Sequence, residues 1–388
     1  MIKKVFFFIF LLLPVLYSII RLQQNFILYF SIGVTYFLLS LDYIWTKKIK
    51  TSFFMQLGIT FIFIDLTFQK ITWNAFFNFF NDIHWLYLIP IILNVWLNLF
   101  TRSFKWRFLL PKKNIALYSV FSSTAIGFMI NAIFPARLGE IARGIILAKE
   151  TKLKYSTTLT TIFVERILDG FVLLLFVLVL FLGFPLQKSQ FAPYIISGAI
   201  FFFIALLVLI SLYFFRNLVE TIISFVVIRF SKKLNQKIME FLDKIYNGLH
   251  IFKKQKNLLL FVGLTILNWT INLFTIILIM KSVQAHALFG FANINYFYSS
   301  LLVLILICMA IAIPSGPGGA GPYQYIVLFA FMILNPQINQ STLLKSKAAG
   351  FSIYIWAIQS LAVIILGLFF YIKDKHSFKQ LKEIRQKT

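Results

Sequence analysis

The sequence contains a single cysteine and four histidines among 388 residues. One cysteine cannot build a disulfide framework, and Cys308 lies within an apolar run. The histidines are scattered along the chain and no two of them have the spacing of a metal site. Catalytic sequence motifs such as GxSxG and HRD are absent as well. The sequence therefore predicts no metal, no cofactor and no catalytic residue.

Charged residues are also scarce. They make up 13% of the chain, whereas hydrophobic residues make up 60%. An average soluble domain has about 25% charged residues. So much apolar surface cannot be hidden inside one globule of this size, and lipid is its natural solvent. The composition predicts an all-α polytopic membrane protein.

Among the charges, acids are rare: 12 Asp and Glu stand against 37 Lys and Arg, for a net charge of +25. The basic residues form clusters between apolar runs, which is the pattern of cytoplasmic loops beside anionic lipid headgroups. We therefore expect contact with those headgroups at the cytoplasmic face, and no nucleic-acid partner. A homo-oligomer stays open.

Eight apolar runs are long and charge-poor enough to be transmembrane helices. They cover residues 5–20, 26–45, 53–68, 85–100, 157–184, 192–215, 258–280 and 352–372. We predict a multi-pass protein of the cytoplasmic membrane with both termini in the cytoplasm. In this topology the basic clusters, including 102–113, 149–154 and 216–256, all lie on the inner side.

Two further apolar stretches are interrupted. Residues 116–147 are broken at 135–140, and residues 296–334 are broken at 314–322, in both cases by proline and glycine. Broken backbone at membrane depth occurs only inside protein or beside a water-filled cavity. We predict two re-entrant hairpins, the first entering from the cytoplasm and the second from the opposite face.

This reading divides the chain into two N-terminal transmembrane helices (1–50), one transmembrane domain (51–372) and a basic cytoplasmic tail (373–388). Within the domain, residues 232–252 have apolar side chains at helical spacing and lysines on the other face. They predict an amphipathic helix on the inner leaflet.

The first hairpin carries ionisable residues near its break. Arg137, Glu140 and Arg143 follow Asn131 and Pro135, and Gly139 helps to form the turn. A helix N-terminus at such a tip attracts phosphate, and arginine binds phosphate through two donors. The alternative is that these charges only pair with one another.

Glu165, Arg166 and Asp169 lie early in an otherwise apolar helix. The two acids are four residues apart and share a face. We expect them to meet Arg137 or Arg143, either as an ion network that sets helix register or with a share in substrate or proton movement.

The second hairpin has a glycine-rich break. Its candidate substrate-lining residues are Pro317, Gly318, Gly319, Gly321 and Gln324, to which Asn131, Pro135 and Gly139 are added from the first hairpin. A nucleotide P-loop is excluded because no lysine follows the glycines. A close-packed hinge is the alternative.

Trp106, in Lys105-Trp106-Arg107, is expected to be an anchor at the inner membrane boundary. Asn268, Trp269, Asn272 and Gln359 are expected to form hydrogen bonds between helices.

Taken in order, four motifs resemble the transmembrane region of lysylphosphatidylglycerol synthases, a flippase-like family. They are Lys105-Trp106-Arg107, the segment from Asn131 to Arg143, Glu165-Arg166-x-x-Asp169, and Pro317-Gly318-Gly319-x-Gly321. The family often has an acid where Gln324 stands, which weighs against a proton-coupling role at that position.

The resemblance implies a protein that moves a charged or glycosylated lipid between leaflets. The lipid phosphate is then expected on Arg137, Arg143 and Arg166, and an ion network or proton relay on Glu140, Glu165 and Asp169. We expect no enzyme, since the soluble aminoacyl-transfer domain of the bifunctional synthases has no counterpart here. Two alternatives are an enzyme that uses a lipid-linked donor and a non-transporting partner of a lipid-modifying enzyme.

The topology predicts the labelling of introduced cysteines. A cysteine at position Gln187 should react with an impermeant thiol reagent from outside, and one at Asn247 only after permeabilisation. The reverse labelling would contradict the eight-span topology.

Overall fold

In the computed structural model, the described residues are 51–111, 114–135, 137–183, 258–291 and 294–374, with single residues between 200 and 239. The predicted spans 5–20 and 26–45, most of the span 192–215 and the amphipathic helix 232–252, and nearly all of the tail lie outside these residues.

All regular structure in the described residues is helical, as predicted. Twelve α-helices are described: α1 Thr51–Phe68, α2 Trp73–Asn78, α3 Leu88–Leu109, α4 Leu117–Ile133, α5 Leu138–Thr151, α6 Tyr155–Gly183, α7 Leu258–Ser282, α8 Ala285–Phe289, α9 Tyr296–Ala312, α10 Pro322–Leu334, α11 Gln337–Gln340 and α12 Thr342–Lys373. Short 3-10 helices cover Phe79–Asp82, Trp85–Tyr87 and Pro317–Gly319.

Four of the described helical segments are long and apolar enough to cross a membrane: Trp85–Leu109, Tyr155–Gly183, Leu259–Ser282 and Thr342–Lys373. Shorter apolar helices lie at Gln56–Phe68, Leu117–Ile133 and Tyr296–Ala312. The expectation of a multi-pass membrane protein is confirmed. The count of eight spans and the re-entrant course of the hairpins stay predictions.

Two helices are longer than the apolar runs that predict them. The run 85–100 continues as α3 to Leu109, because Arg102 and Lys105 are buried rather than placed in a loop. The run 352–372 begins earlier, at Thr342 of α12, where Lys347 forms an ion pair of 2.8 Å with Asp82. In both cases polar side chains find partners inside the protein, so the helix continues where hydropathy falls.

Both interrupted stretches do break where proline and glycine predict it. The first is divided into α4 and α5 by residues 134–137, and Arg137 has a left-handed backbone with φ of 52°. The second is divided into α9 and α10. In the segment between these helices, Gly318, Gly319 and Gly321 each have a positive φ. Glycine adopts this conformation without steric cost.

The chain forms two compact units. Unit 1 comprises Met1–Ile92, Gly127–Gly139 and Ile276–Leu368, and unit 2 comprises Leu93–Ile126, Glu140–Thr275 and Phe369–Thr388. In unit 1, four buried rings come from different helical segments: Phe79, Phe289, Phe331 and Phe351. The ring centroid of Phe331 lies 4.8 Å from that of Phe289 and 4.7 Å from that of Phe351, within the range of stabilising aromatic pairs.

Unit 1 also depends on a close approach of backbone to backbone at the start of α5. The N–H of Gly139 donates to Asn131 Oδ1 at 2.7 Å. A Cβ on Gly139 would overlap the carbonyl oxygen of Gly127. Only glycine fits here, which gives the glycine of the first hairpin a packing role.

In unit 2, amide side chains join α3 to α7. The Asn98 and Asn268 side chains each donate to the other's main-chain carbonyl at 2.9 Å. Asn94 donates to the Ile271 carbonyl at 2.8 Å and to Thr275 Oγ1 at 2.7 Å. The expected role of Asn268 between helices is thereby confirmed.

We predict that Gly139→Ala lowers the folded yield and the unfolding temperature, because the new methyl group has no space beside Gly127. Overpacking of this kind costs about 1–3 kcal/mol or more. Gly263→Ala in α7 is the matched control, since nothing lies within 4 Å of its Cβ position. Fluorescence-detected gel filtration after heating measures both variants, and equal survival would contradict the close-approach role.

Candidate functional site

The Glu165 carboxylate is the centre of a group of charges in unit 2. It is fully buried, and its Oε1 lies 3.2 Å from Arg102 Nη1 and 3.8 Å from Lys105 Nζ. Its Oε2 lies 2.9 Å from Arg143 Nη2. Three helices (α3, α5 and α6) therefore meet at one carboxylate. Together with Glu140, Arg166 and Asp169, these residues form what we call the ion cluster.

Asp169, one turn further along α6, takes up the remaining contacts of the α3 cations. Its Oδ1 accepts from Lys105 Nζ at 2.6 Å and from Trp269 Nε1 at 3.3 Å. Its Oδ2 lies 3.4 Å from Arg102 Nη1. The expected interhelical role of Trp269 is confirmed, and its partner is a carboxylate rather than a neutral group.

Trp106 is not an interfacial anchor, which corrects the prediction. Its side chain is fully buried, its Nε1 donates to Thr161 Oγ1 at 3.0 Å, and the Arg143 guanidinium lies 4.8 Å from its ring centroid. Stacking on an aromatic face stabilises a buried cation. Trp106 therefore supports Arg143 inside unit 2.

One edge of the ion cluster is exposed. Arg166 Nη2 lies 2.7 Å from Glu140 Oε1, and these side chains are 32% and 23% exposed. Arg102, Lys105, Arg143, Glu165 and Asp169 are between 0% and 5% exposed. Arg166 also lies 3.6 Å from Asp169, so it connects the exposed edge to the buried acids.

The glycine-rich break lies in unit 1, where protein groups bind its backbone. The N–H of Gly316 donates to Thr60 Oγ1 at 2.7 Å, and that hydroxyl donates to the Ala320 carbonyl at 3.2 Å. Trp356 Nε1 donates to the Gly318 carbonyl at 3.0 Å. A Cβ on Gly321 would lie 2.7 Å from the Thr60 carbonyl oxygen. These contacts favour a packed loop at this break.

Gln324 caps the helix that follows this break. Its Oε1 accepts the N–H of Gly321 at 2.7 Å, and the side chain is buried. Gln359 Nε2 donates to the Tyr323 hydroxyl at 3.2 Å, which confirms the expected interhelical role of Gln359. A carboxylate at position 324 would accept the same N–H, so glutamine preserves the cap without a charge.

Of the two arginines that are predicted partners of the α6 acids, Arg143 forms an ion pair with Glu165. Arg137 belongs to unit 1, and its guanidinium donates to the main-chain carbonyl of Ile311 at the end of α9. Pro135 and the left-handed backbone of Arg137 lie in the break between α4 and α5. The prediction that the α6 acids meet Arg137 or Arg143 is confirmed for Arg143 and Glu165.

Comparison with known proteins identifies the family of the chain. Residues 53–367 match the family described as the lysylphosphatidylglycerol synthase TM region. The chain belongs to this family. It is also similar to a UPF0104 membrane protein of Methanocaldococcus jannaschii, with 28% identity over 255 residues, which cover 65% of this chain and 97% of the relative. No solved structure matches the chain.

In this member of the lysylphosphatidylglycerol synthase TM region family, the sequence pattern does not predict two residues of the ion cluster. Arg102 and Lys105 follow directly on an apolar run, a pattern that predicts a cytoplasmic loop. The signal that identifies them is spacing: they are three residues apart on one helix face, and they face Glu165 and Asp169, four residues apart on another. Among the described residues, no group of His, Cys, Asp or Glu could hold a metal ion.

We predict that Glu165→Gln destabilises the protein strongly, because it leaves Arg102, Lys105 and Arg143 without their shared carboxylate. Removing one partner of a buried ion pair costs about 3–5 kcal/mol. The thermal unfolding midpoint in detergent measures the loss. Glu150→Gln, at an exposed position in α5, is the control.

A second change sharpens this test. Adding Arg143→Met to Glu165→Gln removes one cation and should recover part of the lost stability. If the losses of the two single variants simply add, the charges are not coupled and the ion cluster does not stabilise unit 2.

Proposed function

We propose that this chain binds the anionic headgroup of a membrane lipid and moves that lipid between the leaflets of the cytoplasmic membrane. The carrying observation is the partly exposed edge of the ion cluster at Arg166, on a helix that is long and apolar enough to cross a membrane. Ionisable groups inside membrane spans usually mark a substrate or ion pathway. Membership of a family named for a lipid synthase supports a lipid ligand.

The lengths of the broken helices support the proposed course of the chain. Helices α4 and α9 have 17 residues each, and α5 and α10 have 14 and 13. A full crossing takes about 20 residues. Two re-entrant hairpins together with eight spans and two cytoplasmic termini therefore fit these helices better than ten full crossings.

Arg166 is the best-placed of the three arginines proposed for the lipid phosphate. Arg143 is fully buried against Glu165 and Trp106, and Arg137 contacts the Ile311 carbonyl in unit 1. Arg137 and Arg143 stay candidates that a rearrangement would have to release. The same holds for the substrate-lining loop, whose backbone groups are bonded to Thr60 and Trp356.

The buried state of the acids argues against the enzymatic alternative. A general acid or base must reach the group whose proton it transfers. Glu165 and Asp169 are 0% and 4% exposed and are held by cations. A transporter or lipid-binding protein is consequently the better proposal, and neither a cofactor nor a catalytic residue is part of it.

Translocation is tested in liposomes that contain fluorescent phosphatidylglycerol, and dithionite added outside bleaches the lipid in the outer leaflet. We predict that the wild-type protein moves inner-leaflet lipid to the outer leaflet, where it is bleached. Arg166→Lys should slow this second phase of bleaching about 5- to 30-fold. Lysine keeps the charge but loses the two-donor contact, which is worth about 1–2 kcal/mol.

Arg107→Lys is the matched control, since Arg107 lies in the last turn of α3 outside the ion cluster. Unfolding midpoints measured on the same preparations separate transport from folding. Equal rates for wild type and Arg166→Lys at equal stability would contradict phosphate recognition by Arg166. A wild-type rate no faster than that of protein-free liposomes would contradict translocation itself.

A further inference from the structure

The buried part of the ion cluster has its carboxylate oxygens occupied by cations. Glu165 Oε1 faces Arg102 and Lys105, and its Oε2 faces Arg143. A ligand that reaches these cations would have to displace a fully buried acid. Displacement at this position leaves charges uncompensated and costs several kcal/mol. The first contact of a headgroup with the cluster must therefore be made at its exposed edge.

At that edge the Arg166 guanidinium is only partly used. Its Nη2 contacts Glu140 at 2.7 Å, and its Nη1 lies 3.6 Å from Asp169 Oδ2. Its Nε–H is buried and has no hydrogen-bond partner among the described residues. Nε and Nη2 form one side of the guanidinium, which is the pair of donors that grips carboxylate or phosphate oxygens side by side.

Glu140 thus occupies one donor of a two-donor site. It lies in the first turn of α5, where the N–H groups of the helix end favour a negative charge. The same position favours a phosphate, whose several oxygens can accept from both Arg166 donors. The Glu140 side chain is 23% exposed, so its carboxylate can be hydrated when a phosphate takes its place on Arg166.

We propose that Glu140 is a built-in competitor for the phosphate group at Arg166: the headgroup binds by replacing the Glu140 carboxylate, and Glu140 takes Arg166 back when the headgroup leaves. This inference rests on the proposed function. It assigns Glu140 a role in setting affinity, in contrast to an acid that only holds the fold together.

The two roles predict opposite signs. If Glu140 competes, Glu140→Gln removes the competitor and lowers the apparent Kd for phosphatidylglycerol about five- to tenfold, as expected for losing one charge-assisted hydrogen bond. If Glu140 only orients Arg166, the same change leaves that Kd unchanged or raises it. Binding is measured in neutral detergent as the rise of the unfolding midpoint with added dioleoylphosphatidylglycerol, and dioleoylglycerol, which lacks the phosphate, is the reference lipid.

Asp82→Asn provides the matched control. Asp82 pairs with Lys347 at 2.8 Å with side chains 36% and 20% exposed, so this change removes the same charge from a comparable pair in unit 1. Tighter binding by Glu140→Gln alone supports competition, whereas equal tightening by both variants means a general charge effect and overturns it. In the Arg166→Gln background, Glu140→Gln should no longer tighten binding.

Further arms identify the source of the phosphate and separate this inference from the proposed function. Glycerol 3-phosphate tests whether a soluble phosphate binds at the same place. If Glu140→Gln lowers the apparent Kd for glycerol 3-phosphate but not for the lipid, the lipid assignment is overturned. If the wild type does not prefer phosphatidylglycerol over dioleoylglycerol, the proposed function fails together with the competitor. If that preference exists and Arg166→Lys weakens it, but Glu140→Gln does not tighten binding, only the competitor role is overturned.

Discussion

The constraint on which unit 2 depends is that a carboxylate within apolar helices must be surrounded by cations. Glu165 lies ten residues into α6, about 15 Å along the helix from its start. At that place water is not available to hydrate it, so its partners must come from the protein. Arg102, Lys105 and Arg143 supply them from α3 and α5. A shift of any of these helices by one turn would separate the charges by about 5 Å and leave them uncompensated, so the ion cluster sets the register in which the helices pack.

In unit 1, polar main-chain groups among the apolar helices are satisfied by close contacts of the backbone at the breaks. Gly321 brings the backbone of the loop against Thr60, and the Thr60 hydroxyl accepts one main-chain hydrogen bond and donates another. Gly139 allows the same kind of approach beside Gly127. These contacts satisfy the backbone groups that proline and glycine leave without helical partners. They explain why motifs that the sequence assigns to substrate-lining loops are well packed here.

Hydropathy and residue type predict the helical class, the positions of both breaks and a network of charges that includes Glu165, Asp169 and Arg143. They did not predict Arg102 and Lys105, because a charge directly after an apolar run has the same local pattern whether it faces water or a carboxylate of another helix. Helical spacing carries the missing information, but only when it is compared between two segments far apart in sequence. The partner of the α6 acids could not be chosen for the same reason: Arg137 and Arg143 are similar in sequence context, and the left-handed backbone at Arg137 that separates them is a tertiary outcome.

A translocase must bind its headgroup strongly enough to take it from one leaflet and weakly enough to release it into the other. An arginine with no competing acid in an apolar setting would meet only the first condition, because losing a phosphate would leave it without a counter-ion. An arginine that exchanges one oxyanion for another meets both, since Arg166 has a partner before the headgroup arrives and after it leaves. The free-energy difference between the headgroup-bound state and the Glu140-paired state is then the difference between two charge-assisted contacts. It is smaller than the full free energy of either contact. If Arg166 exchanges partners as we propose, such near-balance would permit turnover without a large input of energy, and Glu140 would set the affinity for the headgroup.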